Sequence, residues 1–117
     1  MNVYAFDVDH TLEVSDGPVT LESLADLRRA GNIVGLCGNW AVVTRGVPDW
    51  HLNISFIGPL NLTKAAFLDQ IASNVPADEY IVVGNDPDHF GASPDKHTAA
   101  SAGWRFIRED EFAAGAR

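Results

Sequence analysis

The segment VYAFDVDHTL, residues 3–12, begins with four apolar or aromatic residues and then places two aspartates two positions apart. It predicts a buried β-strand over residues 3–7, because a near-continuous apolar run is typical of a parallel sheet covered on both faces. In an extended chain, residues i and i+2 point the same way, so the carboxylates of Asp7 and Asp9 are expected side by side. This segment therefore predicts a strand with an acidic site at its carboxyl end.

Outward from this segment, apolar runs alternate with helical patterns. The runs predict four more strands, over residues 33–37, 54–57, 80–84 and 104–107. Thr20 is expected to cap a helix that stops at Gly31, and Thr63 a second helix that ends before Pro76. A third helix is expected over residues 96–102. This order predicts βαβ crossovers and an α/β fold, a three-layer α/β/α, Rossmann-like sandwich around a mainly parallel five-stranded sheet.

The composition narrows the class of protein. A chain of 117 residues, 46% of them hydrophobic, predicts one domain over residues 1–117 with a single core. The net charge of −8 disfavours broad affinity for nucleic acid or anionic membranes. Cys37 is the only cysteine, so no intramolecular disulfide can form. With no signal-like or membrane-spanning stretch in the sequence, a cytoplasmic location is expected.

The chemistry expected of Asp7 and Asp9 follows from their proximity. Two adjacent carboxylates repel each other, and burial raises their pKa values unless a cation lies between them. Mg²⁺ resolves this conflict, because it binds one or two carboxylates together with water and substrate phosphate. One aspartate could then attack phosphorus, and the other could protonate the leaving oxygen and later activate water.

The Phe-Asp-Val-Asp-His-Thr-Leu string at residues 6–12 resembles the first motif of haloacid dehalogenase-like hydrolases. The resemblance implies that Asp7 is the nucleophile and Asp9 the general acid and base. It also implies that Asp7 and the Asp9 main-chain carbonyl help to bind Mg²⁺. The expected reaction is Mg²⁺-dependent hydrolysis of a phosphate monoester through an aspartyl-phosphate.

The second and third motifs of that family are matched to different degrees. In the second, a strand ends in Thr or Ser, but here residues 33–37 lead to Gly38 and Asn39. A backbone N–H of Gly38 or Asn39 is expected to bind a phosphoryl oxygen in place of the hydroxyl. The third motif is a lysine at the start of a helix, and Lys64 follows that pattern, with the phosphate and the nucleophile as its expected partners.

The fourth motif is a strand that leads to metal-binding acids, and it is altered here. Residues 80–84 supply the strand, but Asn85 stands where many members have their first aspartate. Asp86 is therefore the preferred metal ligand beside Asp7 and Asp9. Asp88 and Asp95 remain alternatives for the second acid of the motif.

The spacing of the motifs leaves no room for the cap domains that many relatives insert, so an open site is expected, with residues 13–19 as a residual flap. An open site implies a large substrate, such as a phosphoprotein, or an oligomeric partner that supplies a lid. A small phosphorylated substrate remains the other option. Two alternative functions stay open. One is a catalytically weak domain that binds a phosphorylated ligand or protein, as Gly38 and Asn85 suggest. The other is a nucleic-acid-end phosphatase, which the acidic charge disfavours.

Overall fold

The computed structural model describes residues 1–85 and 95–117, and within them it contains five strands and five helices. The strands are β1 (Val3–Phe6), β2 (Ile33–Cys37), β3 (Phe56–Gly58), β4 (Tyr80–Gly84) and β5 (Arg105–Arg108). The helices are α1 (Leu21–Arg29), α2 (Ala41–Gly46), α3 (Lys64–Asn74), α4 (Asp95–Ala102) and α5 (Glu109–Ala113). Two short 3-10 helices lie at Glu13–Ser15 and Trp50–Leu52.

The five strands form one sheet in the order β3-β2-β1-β4-β5, and every pair is parallel. β1 is the central strand, with Val3 in register with Ile33 of β2 on one side and Tyr80 of β4 on the other. The predicted α/β class and five-stranded parallel sheet are confirmed.

The apolar side chains of the central strand alternate between the two faces of the sheet. Tyr4 and Phe6 enter one buried cluster, and Val3 and Ala5 enter the other. The first cluster packs the sheet against α1, α2 and α5, which contribute Leu24, Leu27, Val43 and Phe112. The second packs it against α3 and α4, which contribute Phe67, Leu68 and Ala99. The fold is therefore a three-layer sandwich, and β1 is buried from both sides.

The helix boundaries follow the capping signals. The Thr20 hydroxyl accepts a hydrogen bond from the Ser23 N–H at 3.2 Å, and the Thr63 hydroxyl accepts one from the Ala66 N–H at the same distance. The Thr63 hydroxyl satisfies a backbone donor of the first turn of α3, and the Ser23 N–H is shared between the hydroxyl and the carbonyl oxygen of Thr20. Gly31, expected as the stop signal of α1, has a φ of +93°. Across the described residues, no helix combines the length and the apolar character needed to cross a membrane.

The largest departures from the predicted elements are at β3 and α2, while the bounds of β1, α4 and β5 differ from the predicted ones by one residue. β3 begins at Phe56 rather than at residue 54, and Ile54 instead enters the core from the preceding loop. β3 is an edge strand that pairs only with β2, through Phe56–Gly58. The apolar run in the sequence therefore begins before the residues that pair with β2. The helix α2 was not predicted, because its β-branched Val42, Val43 and Thr44 have weak helix propensity.

Candidate active site

The carboxyl ends of the three central strands bring together residues that are far apart in the sequence. Asp7 follows β1, Gly38 follows β2 and Asn85 follows β4. The chain runs from β1 through α1 to β2 on one side, and returns through α3 to β4 on the other side of β1. In open α/β sheets this switch in direction leaves a crevice at the strand ends, where ligands bind.

Lys64, the first residue of α3, lies between two buried carboxylates. Its Nζ is 3.3 Å from Asp7 Oδ1 and 3.1 Å from Asp95 Oδ1. Asp7 is 4% exposed and Asp95 is 2% exposed. The structure thus brings Lys64 to the expected nucleophile, and it brings Asp95, one of the alternatives for the second acid, to the same ammonium group.

Burial controls the ionisation of this cluster. Loss of solvent, followed by repulsion from Asp95, raises the pKa of Asp7 to about 6, and the attraction of Lys64 only partly opposes this. Burial by itself would lower the pKa of Lys64, but the two carboxylates raise it above its usual value. At neutral pH the site therefore contains a protonated lysine beside an ionised Asp7.

Asp9 differs from Asp7 in being exposed at the mouth of the site. Its Oδ1 accepts a hydrogen bond from Ser15 Oγ at 3.0 Å, and Asn39 Nδ2 donates to its two oxygens at 3.3 and 3.4 Å. These contacts orient the Asp9 carboxylate and leave it open to solvent. A group that exchanges protons with a leaving group or with water needs this access.

Ser15 was not among the predicted site residues, and the loop that carries it is packed against the first motif. A β-bridge joins Leu12 to Val19, which closes the loop. Gly17 approaches so closely that a Cβ added there would lie 2.1 Å from the backbone carbonyl carbon of Thr11. Residues 13–19, expected as a residual flap, therefore help to hold Asp9 in place.

Asn85 connects the ends of β1 and β4 through its side chain and its backbone. It is 4% exposed, and its Nδ2 lies 3.0 Å from both Asp7 Oδ2 and the Asp9 carbonyl oxygen. Its backbone N–H donates to Asp95 Oδ2 at 2.9 Å. Asp7 thus receives hydrogen bonds at both oxygens, from Lys64 at Oδ1 and from Asn85 at Oδ2.

Gly38, expected as a possible backbone donor to a phosphoryl oxygen, has a different role in the structure. Its N–H donates to the Gly58 carbonyl at 3.0 Å, so this group is used within the sheet rather than aimed at a phosphoryl oxygen. A Cβ at this position would lie 2.4 Å from Asp7 Oδ1. Glycine therefore provides the space in which the Asp7 carboxylate lies, and the Asn39 N–H remains the proposed donor to phosphate.

Cys37 lies next to the site, and its thiol is buried. It is 3% exposed, and burial raises the pKa of its thiol to about 12. A thiol protonated at neutral pH is a weak nucleophile. Cys37 belongs to the core cluster that packs against α3 and α4.

The donor atoms at the strand ends are compatible with a hard cation. Asp7 Oδ2 and the Asp9 carbonyl oxygen converge on the Asn85 side chain, which also carries an amide oxygen. Carboxylate, carbonyl and amide oxygens are ligands of Mg²⁺. Across residues 1–85 and 95–117, no three His, Cys, Asp or Glu side chains form a group that could hold a metal ion. Asp86, the expected third ligand, and Asp88 lie outside the described residues.

Comparisons with protein-family models, with curated proteins and with solved structures find no match for this chain. The atoms of the site define the chemistry that it can support. They comprise a buried carboxylate with a protonated lysine at one oxygen and an amide at the other. An exposed carboxylate lies two residues further along the chain.

Proposed function

We propose that this chain hydrolyses a phosphate monoester through an aspartyl-phosphate on Asp7, as its resemblance to haloacid dehalogenase-like hydrolases implies. The observation that supports this most directly is the contact of Lys64 Nζ with Asp7 Oδ1 at the carboxyl end of the central strand. The contact keeps a positive charge beside an ionised carboxylate, where both a nucleophile and the incoming phosphate need it.

In the first step, a carboxylate oxygen of Asp7 attacks phosphorus while the bond from phosphorus to the leaving oxygen breaks. Asp9, in its protonated form, transfers a proton to that oxygen, and the alcohol departs. Lys64 offsets the negative charge that develops on the phosphoryl oxygens, and the Asn39 N–H is the proposed second donor.

In the second step, Asp9 accepts a proton from a water molecule, which attacks phosphorus and breaks its bond to Asp7. Inorganic phosphate leaves, and Asp9 is protonated again for the next cycle. Mg²⁺ is the proposed cofactor, with Asp7, the Asp9 carbonyl and Asp86 as ligands. When bound, it would supply positive charge to the phosphoryl oxygens.

The proposed substrate is a small phosphorylated molecule or a phosphoprotein. The chain between Asp9 and Lys64 is occupied by α1, β2, α2, β3 and their short connections, so no cap domain is inserted there. A site without a cap accommodates a phosphate group carried by a large molecule. We propose in addition that a second copy of the chain closes this site.

The test is Mg²⁺-dependent hydrolysis of an aryl phosphate and of a panel of phosphomonoesters. We expect Asp7→Asn to abolish turnover, and Asp9→Asn to reduce kcat by about 10²- to 10⁴-fold. The matched control is Asp69→Asn, an exposed aspartate on the helix that carries Lys64, which should retain the wild-type rate. Absence of activity in the wild type across the panel, or full activity of Asp7→Asn, would refute the proposal.

A second candidate function is binding of a phosphorylated ligand without turnover. Two observations favour it: the amide of Asn85 between Asp7 and Asp9, and the absence of a hydroxyl at Gly38. The measurement is calorimetric titration with inorganic phosphate and with phosphoserine. Binding that depends on Lys64, in a protein without phosphatase activity, would support this second function over the first.

A further inference from the structure

At the ends of β1 and β4, a side-chain amide lies between two acceptor oxygens. A site with a metal ion bound at that point would not need this donor. Asp7 Oδ2 and the Asp9 carbonyl oxygen are both acceptors, and they face the same point. Two acceptors directed at one point repel each other unless a cation or a donor lies between them. Here the donor is part of the chain, because both distances to Asn85 Nδ2 are 3.0 Å.

The Asn85 amide donates to both acceptors. A side-chain amide nitrogen carries two N–H groups, enough for one hydrogen bond to each acceptor. Asn85 is 4% exposed, and its own backbone N–H is bonded to Asp95 Oδ2. The hydrogen bonds to Asp7 and Asp95 are buried and the one to the Asp9 carbonyl is part-buried, so breaking them without replacement would leave polar groups unsatisfied.

We propose that the Asn85 amide acts in place of a cation in the resting site. It joins the end of β1 to the end of β4 through its hydrogen bonds to Asp7 Oδ2 and the Asp9 carbonyl oxygen. A divalent cation enters only when Asn85 gives up its hydrogen bonds to Asp7 and Asp9. Asn85 is thus a positioning residue that lowers the affinity of the site for Mg²⁺. This inference concerns the resting protein and does not require turnover.

The first test compares Mg²⁺ binding by calorimetry and by thermal unfolding, without substrate. Asn85→Asp replaces the donor with a second carboxylate beside that of Asp7, so it should bind Mg²⁺ at least about tenfold more tightly than the wild type. Its Tm should be lower in EDTA and rise by about 4 °C or more in saturating Mg²⁺. Asn74→Asp, the same change at an exposed position of α3, is the matched control and should bind Mg²⁺ like the wild type.

The second test uses the wild-type protein alone and so does not depend on the folding of a variant. The assigned side-chain NH₂ protons of Asn85 should exchange with solvent more slowly than those of the exposed Asn74, and saturating Mg²⁺ should remove that protection. Equal Mg²⁺ affinity in the wild type and Asn85→Asp would overturn the inference, as would Asn85 protons whose exchange Mg²⁺ leaves unchanged. Because neither test uses a phosphoester, failure of the phosphatase proposal would leave both results interpretable.

Discussion

At the scale of single residues, the site is a group of charges whose balance depends on burial. Asp7 and Asp95 both contact one ammonium group, that of Lys64. Loss of solvent, together with repulsion from Asp95, makes the ionised form of Asp7 costly. Lys64 and Asn85 hold the Asp7 carboxylate in place through hydrogen bonds to its Oδ1 and Oδ2.

The raised pKa of Asp7 predicts how stability depends on pH in EDTA. The folded state binds this proton more tightly than the unfolded state does, because the pKa rises from 3.8 to about 6 on folding. The contribution of Asp7 to the free energy of unfolding is therefore fully present below about pH 4, and it is lost as the pH rises through about 6. Asp7→Asn has no carboxyl group at this position, so it does not undergo this loss of stability. Asp95 and Lys64 still face residue 7 in the variant. We expect its stability relative to the wild type to increase by about 1 kcal/mol between pH 5 and pH 8.

The measurement is thermal unfolding of both proteins at several pH values. A stability difference that stays constant, or one that grows toward acid pH, would contradict the shifted pKa of Asp7. The control is Asp69→Asn, the same change at an exposed position of α3.

The absence of a side chain at Gly38 predicts a steric conflict on substitution. In Gly38→Ala the new Cβ would lie 2.4 Å from Asp7 Oδ1, and that carboxylate is held by Lys64 and Asn85. We expect a loss of about 1–3 kcal/mol in the free energy of unfolding, measured in urea. Gly46→Ala is the control, because Gly46 ends α2 and no atom lies within 4 Å of a Cβ there. If the two variants are equally stable, Gly38 does not serve to accommodate Asp7.

At the scale of secondary-structure elements, two of the helices have matching caps and different neighbours. Thr20 begins α1 and Thr63 begins α3, with hydrogen bonds of equal length to the third residue beyond each cap. Of these two helices, α3 is the one that starts with a residue of the site, since Lys64 follows its cap directly. The cap of α3 therefore fixes both a helix and the position of an ammonium group.

This pair of caps predicts that stability and activity can be separated. Thr20→Ala and Thr63→Ala should each lower the free energy of unfolding by about 1 kcal/mol, because each removes one N-cap hydrogen bond. Only Thr63→Ala should also lower the kcat/KM for an aryl phosphate, by roughly tenfold, because it loosens Lys64. Equal activity in the two variants would show that the cap does not position the lysine.

At the scale of the whole molecule, the site depends on a sheet that is packed on both faces. Phe6 lies one residue before Asp7, and its ring contacts Phe112 of α5 edge to face, with ring centroids 5.2 Å apart. Phe112 is 1% exposed and is one of the larger side chains of the core. The last helix thus packs directly beneath the strand that carries the expected nucleophile.

Truncation of this packing should affect the entire domain. Phe112→Ala is expected to cost about 3–5 kcal/mol in the free energy of unfolding, measured by circular dichroism in urea, since it removes a buried ring and leaves a cavity. A small domain has only about 5–15 kcal/mol in total, so a substantial unfolded fraction is expected at 37 °C. Leu52→Ala is the control, because Leu52 is 61% exposed, and its cost should stay near 0.5 kcal/mol. A loss below 1 kcal/mol for Phe112→Ala would contradict this account of the core.

Much of the fold was predictable because its signals are local. Strand runs of four or five apolar residues, threonine caps and glycine stops act within a few positions of the chain, and the structure follows them at β1, β2, β4, α1 and α3. The short edge strand β3 and the helix α2 were located inaccurately or missed. Their boundaries depend on a neighbouring strand and on the core, which no local pattern encodes.

The sequence by itself determined the central strand, the pair Asp7 and Asp9 at its end, and Lys64 at the start of a helix. Only the tertiary structure decided that Asn85 joins Asp7 to the Asp9 carbonyl, and that Ser15 orients the Asp9 carboxylate. The physical reason is separation along the chain. Asn85 lies 78 positions from Asp7, and only the packing of β4 beside β1 brings their side chains within hydrogen-bond distance.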